Sequence, residues 1–160
     1  MLKKINQIEK ENNMATRATI AKLDDNGVKA IYSHSDNYLA HTGKILDQHY
    51  QDESKVDELL AHGDVSIINE NIGVKLDFMD YKSFHENKQC RFYGRDRGED
   101  RKAEVLKDET ELLEFAFEKC GADLIYMYAY GSWYVYDNSN EIGDSSYQFI
   151  ELEEALYVPL

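Results

Sequence analysis

The sequence predicts an α+β fold in which an antiparallel or mixed β-sheet carries its helices mainly on one face. Three observations support this class: β-rich runs joined by tight turns lie towards both ends of the chain, capped helical segments lie between them, and the element order is ββ-αα-β-α-ββ. The chain has 160 residues, of which 42% are hydrophobic, enough to close one packed core. We therefore expect residues 1–13 to form a peripheral arm or helix and residues 14–160 to form a single domain.

In the first half of the chain, two β-rich runs over 16–23 and 28–33 predict a hairpin. Asn26-Gly27 between them is typical of a type I′ turn, because both residues tolerate positive φ. Two helices follow, one begun by Thr42 and one over about 53–62, the second with Asp52 as N-cap and Gly63 as stop signal. The segment 64–87 mixes short apolar pieces with polar turns and predicts no defined element.

In the second half, a strand over 89–93 leads into the charged loop 94–100. The clearest helix runs from about 109 to 120, with Asp108 and Glu111 at the spacing of a capping box and Gly121 at the stop. A second hairpin over 124–137 turns at Gly131-Ser132, and the tail 147–158 predicts a strand or a short acidic helix.

The net charge of the chain restricts the classes of molecule that it is expected to bind. The formal net charge is −13, and residues 101–160 hold thirteen acidic and four basic residues. A field of this sign repels phosphate backbones and anionic lipid, so we expect no direct binding to nucleic acid or to a membrane. A protein with a basic surface or a small molecule is the expected partner.

The chain shows no apolar run of the ~20 residues needed to span a bilayer and no apolar segment behind its charged start. These features predict a cytoplasmic protein. Cys90 and Cys120 have neither a metal-site spacing nor a disulfide framework, so we interpret them as reduced interior thiols. We expect no metal and no cofactor.

A polar loop after the first hairpin carries His34, Asp36 and His41 as candidate catalytic residues. These residue types suit a divalent metal or a proton relay. The spacing H-x-D-x4-H matches no dedicated zinc cage, which leaves a hydrogen-bonded structural loop as the alternative.

The loop 94–100 offers a candidate anion site. Arg95 and Arg97 are flanked by Gly94 and Gly98, and guanidinium groups in an acidic protein are natural ligands for phosphate or carboxylate. Asp96, Glu99 and Asp100 lie among the arginines, so a solvated ion-pair loop is the alternative. The phosphate-binding P-loop pattern is absent.

Two further surfaces are candidates for binding a protein. If the second hairpin turns at Gly131-Ser132, Tyr130 faces Trp133, and one face of the hairpin carries Tyr126, Tyr128, Tyr130 and Trp133. Since helices on one side of a sheet cover one face, an aromatic patch is expected on the other unless the sheet is covered twice. Glu111, Glu114 and Glu118 line one side of a helix at a pitch of ~5–6 Å, close to that of phosphates along a nucleic-acid strand, although such rows are commonly solvated faces.

Several segments resemble a family of small phage and prophage proteins that has no known activity: Ala18–Ala21, Ile31–Tyr38, Gly43–Leu46, His49-Tyr50 and Tyr93–Glu99. The likeness covers roughly residues 15–136. The family's first loop usually reads H-W-D-G-Y, whereas this chain has His34-Ser35-Asp36-Asn37-Tyr38. The resemblance implies a viral or mobile-element origin and action inside a bacterial host.

Three hypotheses follow. The first is a non-enzymatic phage protein that binds a basic host protein, for example as a nucleic-acid mimic that blocks a defence factor. The second is a small-ligand-binding protein or small enzyme that uses His34, Asp36, His41, Arg95 and Arg97. The third is an accessory protein that assembles with itself, for example as a homodimer, through the aromatic hairpin.

Overall fold

Two β-hairpins lie side by side at the centre of the sheet in the computed structural model, which describes residues 16–157. The eight strands are β1 (Ala18–Asp24), β2 (Gly27–Ser35), β3 (Val65–Ile67), β4 (Arg91–Phe92), β5 (Glu104–Leu106), β6 (Leu124–Ala129), β7 (Ser132–Asp137) and β8 (Phe149–Glu151). Their order is β4-β3-β2-β1-β6-β7-β8, and β5 pairs with the free edge of β2 beside β3. β1 is parallel to β6 and β2 to β3, while the other pairs are antiparallel, so the predicted mixed sheet is confirmed.

The helices are short, and two of them contain a turn of π-helix. They are α1 (Lys44–His49, preceded by the π turn Leu39–Gly43), α2 (Glu53–Ala61), α3 (Tyr81–Glu86), α4 (Tyr93–Arg97), α5 (Glu109–Glu114, continued by the π turn Phe115–Lys119) and α6 (Leu152–Leu156). A 3₁₀ turn occupies Gly143–Ser145. Among residues 16–157, no helix combines the length and apolar character needed to cross a bilayer.

Both faces of the sheet are covered, and most helices lie on one of them, as predicted. Leu46 of α1, Leu59 of α2 and Leu152 of α6 pack in one core with the strand residues Ile20 and Tyr126. On the opposite face α5 alone packs over small strand side chains, which let its backbone approach the sheet closely: Ala21, Ala30 and Ala129 lie beneath Leu112 and Ala116. Every residue of β6 is buried, as expected for a central strand enclosed by two layers.

The first hairpin turns one residue earlier than predicted. Asp25 and Asn26 form the loop without positive φ, and the positive φ of 114° falls on Gly27. A Cβ at Gly27 would lie 2.7 Å from the Leu106 carbonyl oxygen, because β5 runs alongside. The predicted type I′ turn at Asn26-Gly27 is therefore wrong, and the glycine accommodates both the turn and the neighbouring strand.

The second hairpin also turns one residue earlier than predicted. Tyr130 and Gly131 form its loop with φ of 50° and 88°, the signs that a type I′ turn requires. Trp133 consequently pairs with Tyr128, whereas the prediction placed it opposite Tyr130. A tyrosine at positive φ is uncommon, and no sequence rule indicates it.

The capped helices were predicted well. Asp52 accepts a hydrogen bond from the Ser54 N–H at the start of α2, and Asp108 accepts one from the Glu111 N–H at the start of α5. Thr42 is different, since it lies inside the π turn instead of beginning the helix.

Two segments were assigned incorrectly or not at all. The predicted loop 94–100 contains most of α4, and the unassigned segment 64–87 contains β3 and α3. The predicted arm 1–13 lies outside the described residues.

Trp133 tests the second hairpin. Its side chain is buried, the indole Nε1 donates to the Tyr50 carbonyl oxygen at 2.9 Å, and its ring contacts Tyr128 edge-on. Trp133→Ala should lower the free energy of unfolding in urea by ~3–5 kcal/mol. Tyr130→Asn, at the exposed turn, should leave it unchanged or slightly higher, because asparagine tolerates positive φ. A loss below ~1 kcal/mol for Trp133→Ala would contradict this packing.

Candidate functional site

One pocket lies at the sheet edge where β2 and β3 end and β4 begins. Ser35, Ile67 and Arg91 pair directly across these three strands and form one transverse row on its floor. Tyr81 and Phe84 of α3 supply apolar walls of the cavity, whose volume is about 340 Å³. The pocket therefore brings together parts of the chain that are more than fifty residues apart in sequence.

Arg91 is the unusual residue of this pocket. It is 8% exposed, and its guanidinium carbon lies 3.6 Å from the ring centroid of Phe78 and 4.0 Å from that of Tyr81. Nε donates to the Phe78 carbonyl oxygen at 2.8 Å, and Nη1 donates to Ser66 Oγ at 3.2 Å. Within residues 16–157, no carboxylate oxygen lies within 4.0 Å of its nitrogens.

The hydrogen bonds of Arg91 leave part of its guanidinium group available. Nη2 donates to no described residue, yet it is not among the fully buried atoms that lack a partner. Since Arg91 lines the pocket, this nitrogen has the capacity to donate to a ligand bound there. A buried charge without a counter-charge is costly, and charged groups inside proteins are ordinarily paired.

Asp36 lies at the rim of the same pocket. Its φ is 59°, an uncommon conformation for a residue other than glycine. Burial raises the pKa of the Asp36 carboxyl, and the positive charge of His41 partly opposes the shift. The carboxyl group is therefore poised to take up a proton at a higher pH than an ordinary aspartate.

The backbone at Asp36 is held by its neighbour, the fully buried Asn37. Asn37 Oδ1 accepts hydrogen bonds from Ser33 Oγ at 2.7 Å and Thr42 Oγ1 at 3.0 Å, and Nδ2 donates to the Thr16 and Ser33 carbonyl oxygens at 3.0 Å. The Tyr126 hydroxyl donates to the Asn37 carbonyl oxygen at 2.6 Å. These bonds lock the loop in the position that brings Asp36 to the pocket.

The structure does not bring the three predicted polar-loop residues together. His34 Nδ1 hydrogen-bonds with the Tyr32 hydroxyl at 2.6 Å on the α5 side of the sheet. His41 Nε2 instead contacts the Ile68 carbonyl oxygen at 3.1 Å, and only Asp36 lines the pocket. In the part of the chain that the structure describes, no three histidine, cysteine or carboxylate side chains are grouped as metal ligands.

The contacts of Arg95 within the protein argue against the predicted anion site. Its guanidinium pairs with Asp96 at 3.0 Å and donates to the Ile72 and Cys90 carbonyl oxygens at 2.8 and 2.9 Å. The Asp96 carboxylate also accepts hydrogen bonds from the backbone N–H groups of Leu76 and Phe92. This network ties the segment before α3 to β4 and leaves the Arg95 guanidinium no free edge.

Arg97 also differs from the prediction. It pairs with Glu99 at the surface and lies 4.4 Å from the ring centroid of Phe78. Its charge is thus largely neutralised by a neighbour, which is the ion-pair alternative weighed for this segment.

The predicted exposed aromatic surface is wrong as well. Tyr126, Tyr128 and Trp133 are at most 4% exposed and belong to the main core, while Tyr130 alone is exposed. The physical reason is that the sheet carries a layer on each face.

The three glutamates of α5 do share one surface. Glu111, Glu114 and Glu118 line a shallow groove together with Lys119. Glu111 also accepts a hydrogen bond from the Lys107 N–H, so it has a structural contact, whereas Glu114 and Glu118 are exposed.

Sequence reasoning missed Arg91. Within Gln89–Tyr93 the residue reads as an ordinary polar position of a strand, and its partners Phe78 and Tyr81 fall in the segment for which no element was predicted. The one available signal was an arginine inside an otherwise apolar, strand-like run, which is unusual for a buried strand.

No family model, no curated protein and no solved structure matches the chain. The resemblance to phage proteins therefore stays a prediction, and this pocket, with Arg91 on its floor and Asp36 at its rim, is the site on which a function can be argued.

Proposed function

We propose that this protein binds a small anionic ligand in the pocket formed by β2, β3, β4 and α3, with Arg91 holding the anionic group. The observation that carries the proposal is the burial of Arg91 without a carboxylate partner among residues 16–157, in a residue that lines an open cavity and whose Nη2 donates to no described residue. A carboxylate or phosphate placed there would supply the missing counter-charge through charge-assisted hydrogen bonds.

The size of the pocket and the aromatic residues in its lining favour a small ligand with an aromatic body. The pocket volume of about 340 Å³ is at the small end of the range for ligand sites. Tyr81 and Phe84 offer aromatic surface beside the guanidinium of Arg91. A carboxylate attached to a planar ring would use the charge and the apolar wall together.

The second polar group, Asp36, adds selectivity. When ionised, its carboxylate repels a second negative charge and accepts hydrogen bonds from a ligand donor. When protonated, it donates one itself. The site therefore favours a ligand with one negative charge at Arg91 and a neutral polar group towards Asp36.

The proposal is tested with benzoate and its neutral isostere benzamide, titrated by two-dimensional NMR or calorimetry. Benzoate should shift the amide signals around Arg91, Tyr81 and Phe84 and bind at least ~10-fold more tightly than benzamide, because benzoate alone supplies the counter-charge. Arg91→Gln should reduce benzoate affinity to that of benzamide. Arg97→Gln removes the same charge outside the pocket and should leave both affinities unchanged.

A structural role for Arg91 predicts a different outcome. Arg91→Gln would then lower the free energy of unfolding by several kcal/mol, with no preference of the wild type for benzoate. Because Arg91 also donates to the Phe78 carbonyl oxygen and to Ser66 Oγ, Arg91→Gln should lower the free energy of unfolding by ~1–3 kcal/mol even if the arginine binds a ligand, so the benzoate preference of the wild type decides between the two roles. Equal binding of benzoate and benzamide by the wild type would reject the proposal directly.

The raised pKa of Asp36 predicts a pH dependence. As pH falls towards the raised pKa of Asp36, its carboxyl gains a proton and its repulsion of the bound carboxylate weakens, so benzoate should bind more tightly. Asp36→Asn, which carries no charge at this position, should bind benzoate more tightly than the wild type at pH 7 and should lose this increase. His85 lines the same pocket and His41 lies beside Asp36, so His85→Gln and His41→Gln serve as controls. If Asp36→Asn kept the full pH dependence, the histidines would be its cause.

A second candidate function is the binding of a basic protein of a bacterial host by the groove of Glu111, Glu114 and Glu118. The observation in its favour is that these three carboxylates line one exposed surface of a chain with a net charge of −13. Carboxylates arranged in this way attract a basic partner over long range and can occupy the contacts that phosphates would make.

The triple substitution Glu111→Gln, Glu114→Gln and Glu118→Gln tests this second candidate. Capture of basic proteins from a bacterial lysate at low salt should fall strongly, while stability falls by ~1 kcal/mol because Glu111 supports the start of α5. A matched variant that neutralises three exposed acids around α6, Glu151, Glu153 and Glu154, carries the same net charge. Equal losses in both variants would indicate a response to net charge alone and reject the groove.

A further inference from the structure

A cleft on the α5 face of the sheet forms a second site. It has a volume of about 380 Å³ and is lined by Arg17, Tyr32, Arg101 and Lys119, among others. These four residues come from the start of β1, from β2, from the segment after α4 and from the end of α5. The cleft and the pocket of Arg91 lie on opposite faces of the sheet. His34 contacts Tyr32 of the cleft, Ser35 lines the pocket, and these two neighbours in β2 point to opposite faces.

We propose that this cleft binds the phosphoryl group of a small molecule. Three cationic side chains converge on it in a protein with only 18 lysines and arginines against 31 acids. The convergence of like charges from separate elements costs energy, and an anion bound between them offsets that cost.

The neighbouring acids account for part of this charge. Arg101 Nε pairs with Asp64 at 3.0 Å, while Asp64 Oδ1 accepts the Tyr32 N–H. Lys119 approaches Glu104 at 3.8 Å with its side chain 71% exposed, a weak surface pair. In the described part of the chain, the Arg17 side chain makes no ion pair, although its backbone N–H donates to Asp123. Arg17 is therefore the one cationic side chain of the three with no ion pair to a described acid.

The Tyr32–His34 pair lies within the electrostatic influence of Arg17 and Arg101. Burial lowers the pKa of the His34 imidazole, and the positive charges of Arg17 and Arg101 lower it further. Burial raises the pKa of the Tyr32 hydroxyl, which His34 contacts. Both side chains are thus neutral at pH 7 and can exchange hydrogen bonds with an anion in the cleft.

The ligand is a small phosphate ester, not a nucleic acid. The net charge of −13 and the glutamate groove on the far side of α5 oppose a long polyanion. A single phosphoryl group at Arg17, Arg101 and Lys119 presents far less negative charge to that groove, which Lys119 also borders, than a polynucleotide would.

His34 is the reporter for the test. Its pKa is measured by NMR at constant ionic strength, first in chloride and then with phenyl phosphate. Phenyl phosphate should raise the pKa of His34 by ~1, because the bound anion cancels the nearby positive charges. His49 of α1, which lies near Glu70, should not respond to phenyl phosphate and serves as an internal control.

Variants show whether the effect belongs to the cleft. Arg17→Gln with Lys119→Gln should raise the pKa of His34 in chloride and abolish its response to phenyl phosphate, while benzoate binding at Arg91 stays intact. Lys44→Gln with Lys82→Gln removes the same charge from exposed positions elsewhere and should retain the response. An unchanged pKa of His34 at saturating phenyl phosphate would overturn the proposal. A response to a single-stranded oligonucleotide at lower concentration would overturn its assignment to small molecules.

Discussion

The parallel pairing of β1 with β6 is the constraint on which the rest of the structure depends. It joins two hairpins from opposite ends of the described chain, with Ile20 beside Tyr126 at its centre. β6 becomes an interior strand that must be covered on both faces, and every one of its residues is buried. The same pairing brings both hairpin turns to one end of the sheet, where the Tyr130 hydroxyl reaches Asp25.

This pairing also decides where ligands can bind. The hairpin residues are committed to the core by the two covering layers, so open space remains at the edge beyond β2 and under the end of α5. Tyr126 illustrates the link, because its buried hydroxyl fixes the Asn37 carbonyl and through it the loop that carries Asp36. The core thus positions the rim of the pocket directly.

Three arginines within a segment of seven residues have three different environments. Arg91 lies between two aromatic rings and lines a cavity. Arg95 is neutralised by Asp96 and two backbone carbonyls, and Arg97 is paired with Glu99 at the surface. Residue type and spacing cannot distinguish these cases, since the partners come from segments that are distant in sequence. The predicted anion site therefore lies close in sequence to Arg91, the residue on which the proposed site is based.

Local chemistry made the elements predictable, whereas long-range contacts did not. Caps such as Asp52 and Asp108 act within three residues, so the sequence identifies them. The turn at Tyr130-Gly131 was misplaced because the rule favours glycine, asparagine or aspartate where the structure has tyrosine. The row of Ser35, Ile67 and Arg91 depends on two strands of three residues or fewer, which carry too little pattern to be recognised.

The π turn that ends α5 has an electrical consequence. Phe115 and Lys119 border both the groove of Glu111, Glu114 and Glu118 and the cleft on the α5 face. One helix therefore separates a row of carboxylates from the cationic side chains of Arg17 and Arg101. Such an arrangement gives this face of the molecule a transverse electric dipole in addition to its net negative charge. A charged partner or ligand that approaches this face will therefore experience a torque as well as an attraction, and it will be turned towards one side of α5 before any contact is made.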